Sequence, residues 1–154
     1  METLKVEKDV AIKIFPTSPD WFKRILENTF GVKTFKGNIL DRIKTFEDAL
    51  AERGVKAEDI YNPLDKPKHI IMDKLEFLAD VINEGWKAEL SNPKQQKWYP
   101  WIKHLSSGVG FDLSYYYYDL THTSVGVRLF FETKEKSDYF GNQFIGLINE
   151  YYKK

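Results

Sequence analysis

The sequence predicts an α+β fold: an antiparallel meander of three or four strands, packed on one face by helices and closed by a C-terminal helix. Three observations predict it. Apolar residues recur at helical spacing in the first half of the chain. Three aromatic and β-branched runs then follow between residues 97 and 132, with turn residues between them. A last helical pattern closes the chain. Helices first and a meander after them argue for helices on one face of an antiparallel sheet.

The elements follow in order. Val10, Ile12 and Ile14 alternate with Ala11, Lys13 and Phe15, which predicts a short strand. Ser18-Pro19-Asp20 is a helix start: serine caps free N–H groups, proline suits the first turn, and aspartate favours the positive end of the dipole. Phe22, Ile25, Leu26 and Thr29 share a face, and Gly31 is the stop. Thr45 caps a second helix through Phe46, Ala49 and Leu50 to Gly54, with a further turn over 56–61 before Asn62-Pro63. A third helix has Pro67 in its first turn. It carries Ile71, Leu75, Leu78 and Ile82 as one stripe and ends at Gly85.

Residues 91–96 form a polar loop. The runs 97–104, 109–118 and 124–132 are the three strands, joined at 106–108 and 121–123. Pro100 puts the first at a sheet edge. Helix returns over 134–152, with Phe140, Phe144, Leu147, Ile148 and Tyr151 on one face.

The 154 residues are read as a single domain, with an N-terminal helical part over about 1–64 and the sheet with its helix over about 97–152. Charge is balanced, 23 basic against 23 acidic residues, and neither end is a charged tail; that argues against non-specific nucleic-acid binding. Without cysteine there is no disulfide, thiolate ligand or cysteine nucleophile. The chain has no run near the roughly 20 apolar residues a membrane span needs. The expectation is a cytoplasmic protein with no membrane partner.

Eight of the nine tyrosines lie after position 98. Strand alternation sends Val125, Val127, Leu129 and Phe131 toward the helices, because they have the larger apolar area to remove from water. The opposite face then gathers Tyr99, Trp101, Lys103, Tyr116, Tyr118, Arg128 and Phe130 as the candidate binding residues. Rings beside cations suit a protein interface, or a base with its phosphate. The plainer alternative is that the N-terminal third covers this face.

No catalytic or metal site and no cofactor is expected. His69, His104 and His122 lack metal-ligand spacing, and HExxH is absent. His104 or His122 near Asp112 or Asp119 is the remaining His/Asp enzyme option. Gly108-Val109-Gly110 lacks a phosphate-loop spacing and precedes a strand, where such a loop precedes a helix. No GxSxG surrounds a serine. The acidic segment 56–61 is too short for a recognition helix, and Glu47, Asp48 and Glu52 read as solvated surface.

Several runs resemble one family: Lys44-Thr45-Phe46-Glu47-Asp48-Ala49, Glu84-Gly85-Trp86, Lys97-Trp98-Tyr99-Pro100-Trp101, Ser107-Gly108-Val109-Gly110-Phe111, and Thr123-Ser124-Val125-Gly126-Val127-Arg128-Leu129 followed by Phe131. The chain resembles an uncharacterised family of small proteins in Bacteroidota genomes and their phages and prophages. The resemblance covers most of residues 44–152. It carries no catalytic residue over and implies a mobile-element setting: an accessory protein that binds a host factor or sequesters a nucleotide signal, or a minor structural component.

The resulting expectation is a non-enzymatic binding module with a protein partner. The alternatives are a nucleotide or single-stranded nucleic-acid binder on the same face, a minor structural protein, and a small enzyme. The edge strand at Lys97 also allows a homodimer.

Overall fold

The computed structural model describes residues 6–105, 108–117 and 129–152; of 104–105, 108–109 and 111–117 it describes the backbone. The chain divides into two compact units, Met1–Arg42 and Ile43–Lys154.

The first unit is helical: α1 (Lys8–Ile14), a 3-10 turn (Phe15–Thr17), α2 (Asp20–Phe30), α3 (Val32–Lys36) and α4 (Ile39–Arg42). The strand expected at 10–15 is instead helix α1. Val10 and Ile14 are spaced i, i+4 as well as alternating, Asp9 and Lys13 suit the two ends of the dipole, and Ala11 is buried. Ser18 does not cap α2; its hydroxyl donates back to the Ile14 carbonyl at 2.8 Å. Leu26 is buried, but Ile25 on the expected inward face is 49% exposed. Gly31 ends α2 at φ +84°, a conformation that costs glycine little. Phe15 and Phe35 stack at 4.3 Å between ring centroids, with Phe30 edge-on to Phe35 at 6.3 Å.

The second unit opens with α5 (Phe46–Arg53), a 3-10 turn (Ala57–Asp59) and α6 (Pro67–Ile82). Thr45 caps α5 as expected, and Gly54 closes it in the left-handed region. Along the α6 stripe Leu75, Leu78 and Ile82 are buried. Strands β1 (Lys97–Leu105) and β2 (Gly108–Tyr117) form one antiparallel hairpin, in register from Lys97↔Tyr117 to Leu105↔Gly108 with a shift between Pro100 and Ile102. Two helices end the chain, α7 (Lys134–Gln143) and α8 (Ile145–Tyr152), where one was expected. They meet at Phe144, whose φ −106° and ψ 19° leave the helical range. Helix α7 packs on both strands, and α8 packs on α6 and β2. The core holds Phe131, Phe140, Phe144 and Ile148, with the Phe131 and Phe140 rings 4.9 Å apart.

The expected α+β class is corrected. Among the described residues the protein is mostly helical, with a two-stranded hairpin and no three-stranded meander. Of the third run, expected beside β2, only residues 129–132 are described. Its described tail forms a single bridge, in which Trp98 and Phe131 exchange both backbone bonds at 3.0 and 2.7 Å. Proline limits how this edge of β1 can pair. Antiparallel strands present bonding groups to one edge at every second residue. After Trp98 the next N–H toward Phe131's side would belong to Pro100, which has none. Residues 118–128, which hold most of the expected third strand, lie outside the described residues.

Candidate functional site

The site begins with how β1 is anchored. Lys97 is 3% exposed, and its ammonium donates to the carbonyls of Asn92 at 2.8 Å and Gln95 at 3.0 Å. The loop supplying them is held by its own side chains: Gln95 accepts from the Glu89 N–H at 2.6 Å and donates to the Lys87 carbonyl at 3.1 Å. A buried ammonium with no acceptors would be strongly destabilising, so Lys97 and this loop hold one another in place.

At the other end of the α6–β1 connection, Asn83 fixes the 130–132 segment. Its amide donates to the Phe130 carbonyl at 2.7 Å and accepts from the Glu132 N–H at 3.2 Å. Close by, buried Lys136 pairs with Glu132 at 3.0 Å and Glu84 at 3.3 Å. Phe131 is thereby held against β1, and Phe130 against Tyr99.

Three of the predicted binding residues come together here. The Tyr99 ring lies 6.4 Å from Trp101 and 6.1 Å, edge-on, from Phe130. Trp101 remains 48% exposed. Lys103 is exposed two residues further along β1. Tyr116 is the backbone register partner of Trp98, while Tyr99 faces Tyr115; the Tyr116 side chain, together with Tyr118 and Arg128, lies outside the described residues.

Beneath this rim is a cavity of about 270 Å³ that the sequence reading did not find. It is lined by residues 99–102 of β1, Leu129, Met72 and Leu75 of α6, and Ile148, Tyr151 and Tyr152 of α8. Tyr99 and Trp101 were expected on one face and Ile102 on the other, yet all three line it. The register shift between Pro100 and Ile102 falls at the same place, and a bulge is where strand alternation is re-aimed. Burial, and secondarily neighbouring Tyr151, pushes the Tyr152 hydroxyl above the ordinary phenol value, so it stays protonated. Leu75, Ile148 and Tyr151 were legible as parts of helix stripes. That the two stripes converge with β1 on one space was not, because it depends on helix packing.

A second cavity of about 260 Å³ lies between α6 and the following loop, lined by Glu76, Asp80, Asn83 and Trp86 among others and bordered by Phe130. Asp80 there is tied to Arg53 at 2.9 Å.

Of the histidines, His69 lies on α6, the His104 side chain and His122 lie outside the description, and so does Asp119. Asp112 falls within β2 at the register shift. Among the described residues no group of three His, Cys, Asp or Glu is placed to hold a metal ion. Among them, too, no helix is long and apolar enough to cross a membrane.

No family model, curated protein or solved structure matches this chain.

Proposed function

We propose that this chain is a non-enzymatic binding module that engages a protein partner through the aromatic rim of β1, with Tyr99, Trp101 and Phe130 as contact residues. The observation that carries this reading is a half-exposed Trp101 held in a fixed ring cluster. Interfaces favour aromatic anchors of this kind, because a rigid ring buries a large area at little entropic cost. The exposed Lys103 beside it suits the polar edge of such a contact. In the mobile-element setting that the resemblance implies, the partner is a host protein of the cytoplasm.

The test places a photo-crosslinking residue at 101 and, as control, at Leu64, which is 92% exposed and far along the chain. A discrete adduct from position 101 alone supports the reading. Trp101→Ala should then weaken binding of that adduct's partner by about 2 kcal/mol or more, roughly 30-fold, with its thermal midpoint retained. Equal adducts from both positions, or a folded Trp101→Ala that binds unchanged, would overturn it. A nucleotide or single-stranded nucleic acid stacked on the same rings is separated by salt, since phosphate contacts weaken steeply as salt rises.

A further inference from the structure

We propose that the cavity beneath the rim is a binding site for a neutral, planar, two-ring aromatic small molecule carrying one hydrogen-bonding group, a ligand of the indole class. Size is the first argument. An apolar cavity of roughly 150 Å³ takes a single benzene ring; about 270 Å³ accommodates a second fused ring.

Wall chemistry is the second argument. Buried Leu75 and Ile148 give aliphatic walls, and Met72 adds a thioether that adapts its shape to an aromatic guest. Trp101 and Tyr151 offer ring faces and edges. Among the described residues, no Asp, Glu, Lys or Arg lines the space. An ionised group seated against these walls would be without a partner there, which favours a neutral ligand. The polar side-chain groups of the lining are the tyrosine hydroxyls and the Trp101 indole N–H, and a phenol can donate or accept one bond.

The site shares Tyr99 and Trp101 with the proposed interface but does not rest on it, since the ligand occupies the cavity and the partner meets the rim. The test uses the full chain and three probes: indole, naphthalene, and indole-3-carboxylate. Saturable shifts of the Met72, Leu75 and Ile148 methyl signals are expected with indole, weaker binding with naphthalene, and at least tenfold weaker binding with the carboxylate. Met72→Trp fills the cavity and should weaken indole at least tenfold while keeping the ligand-free unfolding midpoint. If that variant does not fold, Leu129→Trp serves the same purpose.

The proposal is overturned by no saturable shift up to the solubility of indole, by equal affinity for the carboxylate, or by unchanged affinity in a folded filling variant. Crosslinking from position 101 reads the protein interface independently, so either reading can fail while the other stands.

Discussion

Asp48 accepts two backbone bonds in front of α5, from the Lys44 N–H at 2.9 Å and the Thr45 N–H at 2.8 Å, while its own N–H donates to the Thr45 hydroxyl at 3.1 Å. The bond from the Lys44 backbone, and next that with the Thr45 side chain, hold its carboxyl below the ordinary 3.8. A carboxyl lowered in the folded state adds stability that is complete above its unfolded value and is lost as pH falls through the folded one. Asp48→Asn should therefore be less stable than the wild type near pH 7, and the gap should close on acidification toward about pH 2. Urea midpoints at both pH values check this; a gap that stays constant would show that the charge does not contribute. The buried lysines make a related point. Lys97 is satisfied by two carbonyls and Lys136 by two carboxylates, so the same side chain is accommodated in two different ways. Their burial was not legible, because a lysine reads as surface until its acceptors are known.

Elements whose signals are local were legible. Thr45 and Gly54 bound α5, and Pro67 with its apolar stripe defines α6, without reference to distant residues. Errors arose where one pattern fits two periods or where distant residues decide. Val10 and Ile14 satisfy both a strand and a helix, and α1 forms. Phe140, Phe144 and Ile148 continue one helical spacing across the break between α7 and α8. The bridge at Trp98 depends on Phe131, and the clamp on Phe131's neighbours comes from Asn83, 47 and 49 residues before the groups it bonds. Asn83→Ala leaves the Phe130 carbonyl and the Glu132 N–H without their partner, so destabilisation of about 2–3 kcal/mol is expected. Denaturant midpoints give the loss, and faster hydrogen exchange at the Glu132 amide localises it. Destabilisation with that amide still protected would mean that Asn83 acts elsewhere.

At the scale of the molecule, the division between Arg42 and Ile43 separates two sets of core residues. Residues 43–154 hold Leu75, Leu78, Ile82, Phe131, Phe140, Phe144 and Ile148, all buried, and a hairpin with helices packed on it. Truncating a buried phenylalanine in such a core costs about 3–5 kcal/mol, so these rings alone represent a stabilisation that matters beside the 5–15 kcal/mol typical of a domain. A chain of this length is well above the roughly 40 residues below which a core needs disulfides or metals. The 43–154 fragment should accordingly fold by itself, with one cooperative thermal transition and the wild-type near-ultraviolet signal of its tryptophans. It contains both the rim and the cavity, so it should also retain the indole response of the full chain. Phe140→Ala in the fragment should lower the transition markedly, since that ring touches Phe131 and Phe144 at 4.9 and 5.4 Å. A broad, non-cooperative melt of the intact fragment would show instead that its core is completed by residues before Ile43.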